Sequence, residues 1–252
     1  MLALVREVSA ELARCELTHL ARVPIDRARA VRQHRDYTET LRALGCTLEW
    51  LPPLAEHPDS VFVEDTAVVL DGLAIVTRPG AGSRRGETPS VAAALERHRP
   101  LARISARGCL DGGDVLHIGR TLYVGTSGRS NAEGIAQLER LLHGHGYRVQ
   151  PTAVVGCLHL KSAVGFIPPD LLLANPEWVD PAVFGKLRVV AVHEDEPHAA
   201  NTLTIGDTTL VSAAYPQTRR RLEAAGIRTH TLDVGELHKA EGGLTCMSLL
   251  LE

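Results

Sequence analysis

Residues 61–77 read VFVEDTAVVLDGLAIVT, two apolar runs divided by the dipeptide Asp71-Gly72. The runs are rich in Val, Ala and Ile, and an Asp-Gly pair between two such runs is typical of a β-hairpin. The stretch therefore predicts two antiparallel strands, Val61–Leu70 and Leu73–Thr77.

The hairpin pattern recurs along the chain, with amphipathic stretches between its copies. Apolar runs predict further strands at Val115–Ile118, Thr121–Val124, Ala163–Ile167, Leu171–Ala174, Thr202–Ile205, Thr209–Ser212 and Leu244–Leu251. Apolar residues at three- and four-residue spacing predict helices at Ile25–Leu44, Thr88–His98, Asn131–His143 and Gln217–Ala225.

One small or polar residue stands against the first strand of each hairpin. In chain order these residues are Asp65, Asp114, Ser162, Asn201 and Cys246, and subtraction gives separations of 49, 48, 39 and 45 residues. Such spacing predicts a closed ring of five modules, each a hairpin plus a helix. The last strand has no partner after it, so we expect residues 1–8 (MLALVREV) to pair with it. A doubly wound sheet is the alternative, but the hairpins and the missing Gly-rich phosphate loop count against it.

The composition is that of a globular protein without a nucleic-acid or membrane partner. The 252 residues are 44% hydrophobic and 4% aromatic, with a formal net charge of −3. Lys and Arg are dispersed, so no basic stripe marks a nucleic-acid or lipid surface. No apolar run approaches the ~18 residues of a membrane span. No linker interrupts the chain, which predicts one domain over residues 1–252.

The cysteines indicate a reducing compartment. None of the five forms a CxxC pair, and an odd number in a chain of this length argues against a disulfide framework. Charges appear at Arg6 and Glu7, too early for the apolar region of a secretory signal. We therefore expect a cytoplasmic protein.

Cys246 and His159 are the candidate catalytic pair. Most cysteines are small core residues, but Cys246 lies in EGGLTCMS (241–248), whose double glycine lets backbone approach a ligand closely. His159 lies in GCLHLKSA (156–163), where the third module begins. The repeats aim side chains at a shared centre from such positions. No histidines have HExxH spacing, and none combines with cysteine at zinc-ligand intervals, so no metal site is expected.

Acidic residues cluster at the starts of the first two modules. Glu64 and Asp65 lie inside the first predicted strand with Asp59 nearby, and Asp111 and Asp114 flank a double glycine in LDGGDV (110–115). Buried carboxylates need partners. Arginine side chains or an exposed strand edge would serve, and so would a planar guanidinium ligand that takes bidentate hydrogen bonds.

Loop arginines supply the opposite charge. Arg84 and Arg85 follow the Gly-rich RPGAGS (78–83), and Arg129 lies in GTSGRSN (125–131). Loop arginines are most often solvated. At module junctions, however, acids and arginines together suit an amino acid held at both ends, with carboxylates on its cationic groups and an arginine on its α-carboxylate.

In their order and spacing these motifs resemble those of the dimethylarginine dimethylaminohydrolases, a family of the guanidine-modifying (pentein) superfamily. The matching stretches are VFVEDTAVV, TRPGAGSRR, LDGGDVLHIGRTLYVG, GRSN, LHLKSA, NPEW, AANTL and GGLTC. The resemblance implies an α/β fold, a five-bladed β/α propeller of pseudo-fivefold ββαβ modules around a central active site.

The resemblance also implies a reaction. Nω-methylated arginine would be hydrolysed to citrulline and dimethylamine or methylamine through a thiouronium on Cys246. His159 would act as general acid and base, and Asp111 would orient its imidazole. No metal or organic cofactor would be required. The partner would be this small-molecule substrate, and a homodimer is one compatible assembly.

The same resemblance implies a substrate-binding set. Its members are Leu17, Asp59, Glu64, Asp65, Arg84, Arg129 and Ala240. The two adjacent acids would bind the guanidinium, Asp59 the amino-acid end, the arginines the α-carboxylate, and the carbonyls of Leu17 and Ala240 the α-amino group. The segment Cys15–Pro24 departs from the Gly-containing lid of the animal members, which bears on its contacts and on substrate preference.

Four other functions can be weighed against the sequence. An arginine deiminase-like enzyme or an amidinotransferase would use the same chemistry, but the deiminases carry a helical insertion for which this chain has no room. A non-catalytic binding protein on the same ring, like the ribosome anti-association factors, would lack the nucleophile or the base. A generic α/β hydrolase would carry a GxSxG elbow, which is absent.

Overall fold

The computed structural model describes residues 1–251 and contains five three-stranded sheets. The strands are β1 (Leu2–Val5), β2 (Thr47–Trp50), β3 (Ala67–Leu70), β4 (Leu73–Val76), β5 (Leu101–Arg103), β6 (Val115–Ile118), β7 (Thr121–Gly125), β8 (Arg148–Thr152), β9 (Val164–Ile167), β10 (Leu171–Ala174), β11 (Arg188–Ala191), β12 (Leu203–Ile205), β13 (Thr208–Ser212), β14 (Thr229–Leu232) and β15 (Leu249–Leu251). The helices are α1 (Arg27–Ala43), α2 (Thr88–Leu95), α3 (Ala132–Leu142), α4 (Leu160–Ala163), α5 (Pro216–Ala224) and α6 (Gly235–His238). Short 3-10 helices cover Leu12–Arg14, Val63–Thr66, Gly82–Glu87, Gly112–Asp114 and Pro181–Phe184.

Every sheet repeats one order of strands. In the first module β4 pairs antiparallel with β3 and parallel with β5. The sheets β6-β7-β8, β9-β10-β11 and β12-β13-β14 follow the same rule. A parallel partner needs a crossover connection, and the segments that hold α2, α3 and α5 make three of these crossovers. The ββαβ module is therefore confirmed.

The fifth sheet joins the two ends of the described chain. Strand β1 pairs antiparallel with β15, with Leu2 opposite Leu251 and Leu4 opposite Leu249, and parallel with β2. The expectation that the N-terminal segment completes the last hairpin is confirmed. The ring closes because the first strand of this module comes from one end of the chain and the other two come from the opposite end.

The third module has no long crossover helix. Its connection from β10 to β11 contains only the 3-10 helix Pro181–Phe184. This module also has the shortest predicted separation, 39 residues by subtraction from Ser162 to Asn201. The four long predicted helices all form, with ends within a few residues of expectation, and Asp26 caps α1 by accepting the Arg29 N–H at 3.0 Å.

Two predicted strands are too long. Val61–Leu70 is a strand only from Ala67, and Glu64 and Asp65 lie in the preceding 3-10 helix, which the Thr66 hydroxyl closes by donating to the Val63 carbonyl at 2.6 Å. Leu244–Leu251 is a strand only from Leu249. There Asn201 Oδ1 accepts the Thr245 N–H at 3.0 Å, so this group is not available to a ladder.

The core is divided among the blades. Buried apolar residues form five clusters, one of which packs Leu4 with Leu249 and Leu251 across the ring closure. Within residues 1–251, no helix combines the length and apolarity that a bilayer crossing requires.

Truncating a core residue at the ring closure should cost considerable stability. Leu4 is fully buried, so Leu4→Ala should lower the free energy of unfolding by about 2–5 kcal/mol. Equilibrium urea denaturation measures this. The control is Val31→Ala on the exposed face of α1, where a change within about 0.5 kcal/mol is expected. Equal effects in both variants would contradict a tightly packed closure.

Candidate active site

Loops from several modules converge on one cavity. Its volume is about 310 Å³. Its lining contains the predicted residues Asp59, Asp65, Arg84, Arg129, His159, Ala240 and Cys246, together with Glu16, Phe62, Leu158, Glu241 and Gly242. The nucleophile and the base predicted from separate modules thus face the same space.

His159 is buried between two carboxylates. Its Nε2 lies 3.0 Å from Oδ2 of Asp111, and its Nδ1 lies 3.8 Å from Oδ1 of Asp65. Burial by itself lowers the pKa of a histidine, but the charge of Asp65 and the hydrogen bond to Asp111 raise the pKa of His159 to about 9. The imidazole is therefore protonated at neutral pH and can donate a proton into the cavity.

Asp111 lies behind the imidazole, outside the cavity lining. Its Oδ1 accepts the Gly80 N–H at 2.8 Å, which fixes the carboxylate against His159. The neighbouring Asp114 was not predicted as a site residue, yet it is fully buried and accepts the Leu160 N–H at 3.0 Å. Because Leu160 begins α4 directly after His159, this bond fixes the backbone that carries the imidazole.

The second glycine of LDGGDV gives the imidazole its space. A Cβ at Gly113 would lie 2.6 Å from His159 Nδ1 and 2.7 Å from Asp65 Oδ1. Its N–H donates to Asp65 Oδ1 at 2.9 Å. Only glycine lets this backbone reach the carboxylate without displacing the ring.

The thiol of Cys246 is neutral in the unliganded protein. Burial, together with the negative charges of Glu64 and Asp65, raises its pKa to about 12. Its Sγ accepts the Gly243 N–H at 3.2 Å. A thiolate is the nucleophilic form of cysteine, so this thiol needs an added positive charge before it can attack.

Arg84 lies on the cavity wall with its donors already engaged. Its guanidinium donates to Asp65 Oδ2 at 2.5 Å, to both oxygens of Glu87, and to the carbonyls of Asp59 and Phe62. Burial would raise the pKa of Asp65, but the charges of His159 and Arg84 hold it at about 2. The pair is therefore fully ionised within the wall.

Two predicted binding residues do not line this cavity. The carboxylate of Glu64 accepts from Lys161 Nζ at 2.5 Å and from Thr245 Oγ1 at 2.6 Å, and all three residues line a different cavity of about 870 Å³. Leu17 is half-buried and packs against the apolar cluster around β1 and α1. Its neighbour Glu16 lines the active-site cavity instead.

The remaining predicted residues lie at the mouth. Asp59 accepts the Glu16 N–H at 3.1 Å, and burial raises the pKa of this carboxyl to about 6. Arg129 donates from Nη2 to Thr18 Oγ1 at 2.8 Å. Both side chains thus contact the segment Cys15–Pro24 as well as the cavity.

One group of side chains has ligand-type atoms close enough together to bind a metal ion. Among residues 1–251, only Asp65, Asp111 and His159 bring three ligand-type side chains within reach of one ion. Their atoms already bond one another and the backbone, as described above. The expectation that no metal is required stays a prediction.

Some lining residues were not found from the sequence. Glu241 and Gly242 belong to the EGGLTC motif, which had singled out the cysteine alone. Glu16 lies in the segment that departs from the family pattern. Phe62 and Leu158 are apolar neighbours of predicted residues, and no sequence signal marks them.

Comparison with known sequences identifies the family of the chain. Residues 19–164 match the family model described as N,N dimethylarginine dimethylhydrolase, eukaryotic. The chain is 40% identical over 251 residues to the N(G),N(G)-dimethylarginine dimethylaminohydrolase of Streptomyces coelicolor, covering 99% of this chain and 96% of the relative. The chain belongs to the dimethylarginine dimethylaminohydrolase family. The family enzyme of Pseudomonas aeruginosa is 37% identical over 226 residues, 89% of each chain.

Solved structures of the family superpose closely. The citrulline complex of a Cys-to-Ser mutant from Pseudomonas aeruginosa gives a TM-score of 0.94 at 34% identity, covering 98% of both chains. A His-to-Gly dimethylarginine dimethylaminohydrolase in adduct with S-methyl-L-thiocitrulline gives 0.93 at the same identity and coverage. The N-terminal domain of the cyanobacterial arginine dihydrolase ArgZ, at 19% identity and a TM-score of 0.88, shows the shared fold alone. The expected propeller fold is confirmed.

The raised pKa of the thiol predicts how Cys246 is alkylated. Below the pKa each unit of pH gives about ten times more thiolate. The rate with iodoacetamide should therefore rise about tenfold per unit from pH 7 to pH 10 without levelling off. Peptide mass spectrometry of the alkylated protein measures this at Cys246. A plateau below pH 9 would show that the resting thiol is already ionised.

Proposed function

We propose that the chain hydrolyses Nω-methylated L-arginine, either asymmetric dimethylarginine or monomethylarginine, to citrulline and the corresponding amine. The proposal is carried by one observation: a thiol, a protonated imidazole and the carboxylate of Asp65 face one cavity in a chain of this family. The citrulline and thiocitrulline complexes of its relatives support the same product and the same covalent route.

The first half-reaction starts from the charge of the substrate. The guanidinium docks near Asp65 and brings a positive charge beside Cys246, which lowers the pKa of the thiol and releases its proton to solvent. The thiolate attacks the central guanidinium carbon. The His159 imidazolium then donates its proton to the departing nitrogen, so that a neutral amine leaves and a thiouronium remains on the sulfur.

The second half-reaction uses the same two residues. His159, now neutral, accepts a proton from water as the water oxygen attacks the thiouronium carbon. The carbon–sulfur bond breaks, the electron pair returns to the sulfur as thiolate, the hydroxyl proton of the intermediate passes to solvent, and citrulline is released. Asp111 keeps the imidazole in one orientation through both proton transfers.

The α-ammonium and α-carboxylate groups of the substrate bind different residues of the cavity. Asp59 and the carbonyl of Ala240 accept from the α-ammonium group, and Arg129 exchanges its Thr18 contact for the α-carboxylate. Arg84 acts as a fixed positive charge in the wall, because its donors bind protein groups. Glu64 contributes negative charge beside the thiol without entering the cavity, and Leu17 offers its carbonyl as the Cys15–Pro24 segment closes.

Loss of the nucleophile tests the reaction. Wild-type protein should release citrulline from asymmetric dimethylarginine or monomethylarginine, with free arginine as the comparison substrate. Cys246→Ser should lower the rate by at least about 10³-fold, because the alkoxide needed for attack is inaccessible at neutral pH. Substrate binding by calorimetry serves as the control for folding. Undiminished turnover in the variant would remove Cys246 from the mechanism.

Removal of the base tests the second half-reaction. In His159→Gly the thiouronium should form slowly and persist, because no group then activates water. S-methyl-L-thiocitrulline, with a better leaving group, should give a stable mass increment on Cys246 by intact-protein mass spectrometry. Cys246→Ser in the same experiment should show none. An unmodified His159→Gly protein under slow turnover would mean that another group acts as the base.

The cellular setting and assembly belong to this proposal as well. We propose a cytoplasmic protein, supported by five cysteines that are all free, Cys246 among them. A homodimer is the proposed assembly, and light scattering coupled to size-exclusion chromatography determines it. No nucleic acid takes part.

A further inference from the structure

Residues 15–24, which we name the strap, border two cavities that meet at the nucleophile. Glu16 lines the active-site cavity, while His19 and Leu20 line a neighbouring cavity of about 660 Å³. Cys246 borders both. The strap contains neither helix nor strand, so the N–H groups along it have no regular ladder to bind. Its position depends on individual contacts.

Glu241 makes the densest set of these contacts. Its Oε1 accepts the N–H groups of Thr18 at 3.1 Å, His19 at 2.6 Å and Leu20 at 2.6 Å, and its Oε2 accepts that of Thr18 at 3.1 Å. Three successive backbone donors converging on one carboxylate form an anion nest, in which each bond is strengthened by charge. If the carboxylate is removed, these donors lose their acceptor and must bind water instead, so the strap loses its attachment to residue 241.

The backbone at Glu241 indicates that the carboxylate is specifically required. Glu241 has φ of 57°, the left-handed region where glycine is least strained. The neighbouring Gly242 is needed for a different reason, since a Cβ there would lie 2.1 Å from the Phe62 ring. Of the three residues Glu241-Gly242-Gly243, the one with the left-handed backbone is therefore the glutamate and not a glycine.

We infer that Glu241 is a positioning residue that anchors the strap beside the active site and thereby strengthens substrate binding. The other contacts hold the strap at separate points. Asp59 accepts the Glu16 N–H, Arg129 donates to Thr18 Oγ1, and Lys239 donates to the Pro24 carbonyl. Glu241 alone among these holds residues 18–20 by their backbone. The effect on substrate binding rests on the proposed function, whereas the anchoring does not.

Hydrogen exchange measures the anchoring without any turnover. In Glu241→Ala the amides of Thr18, His19 and Leu20 should exchange at least about tenfold faster than in wild type, because they lose the hydrogen bonds to Glu241 that protect them. Alanine keeps the Cβ, so the left-handed backbone is equally constrained. Glu241→Gln keeps one acceptor oxygen and should stay within about threefold of wild type. Glu177→Ala, which removes an exposed glutamate whose side chain makes no hydrogen bond to the strap, is the matched control.

Steady-state kinetics measure the consequence for substrate. Glu241→Ala should raise KM for asymmetric dimethylarginine about tenfold and change kcat less than about threefold, the pattern expected when binding is weakened equally in ground and transition states. Glu241→Gln should restore most of the affinity. Glu241→Gly serves as a second variant, since it removes the carboxylate while relaxing the backbone, and it should behave like Glu241→Ala in both measurements.

The outcomes separate the two proposals. Unchanged exchange at residues 18–20 in Glu241→Ala and Glu241→Gly, or an equal rise in Glu177→Ala, would overturn the anchoring role. Faster exchange with an unchanged KM would overturn the link to substrate binding. Faster exchange in a protein that releases citrulline from neither methylated arginine would leave the anchor in place and overturn the proposed function.

Discussion

The antiparallel pairing of β1 with β15 determines where the nucleophile lies. Cys246 stands in the short loop that leads into β15, and that strand is positioned by β1 and by the core around Leu4. The Glu64 N–H donates to the Cys246 carbonyl at 3.1 Å, which ties the loop to the first module. The thiol of the last module therefore faces the acids of the first and the histidine of the third only in a closed ring. No single blade contains the thiol, the acids and the histidine together.

Burial of charge is the second constraint on the site. Asp65, Arg84, Asp111 and His159 are all removed from water, and each is stabilised by a partner of opposite charge or by backbone N–H groups. The carboxylate of Asp65, which helps to keep His159 protonated, also raises the pKa of the thiol. The resting site thus holds a protonated imidazole and a neutral thiol. A cationic substrate changes the balance, because it adds positive charge beside the thiol.

Much of this arrangement could be predicted from sequence. The hairpins were visible because their middle strands are buried on both faces, as in LAIV of β4 and LLLA of β10. The third strand of each module could not be recognised from the residue pattern, because it is an exposed outer strand of mixed composition, such as TLEW in β2. The family resemblance alone implied it. Contacts between residues that lie far apart in the sequence could not be predicted either. The hydrogen bond between Leu20 and Glu241 spans 221 residues, and the ion pair between Glu64 and Lys161 spans 97.

The same ring closure orders the assembly of the molecule during its synthesis. Strand β1 precedes β15 by nearly the whole described chain, so its antiparallel hydrogen bonds form only after that stretch has been synthesised. Contacts of such high sequence separation form late, since the entropy of closing the intervening loop must be overcome first. A nascent chain that lacks β15 carries the acids and the histidine but not a seated thiol. Cys246 therefore reaches the cavity beside His159 only when the blade of β15, β1 and β2 is complete.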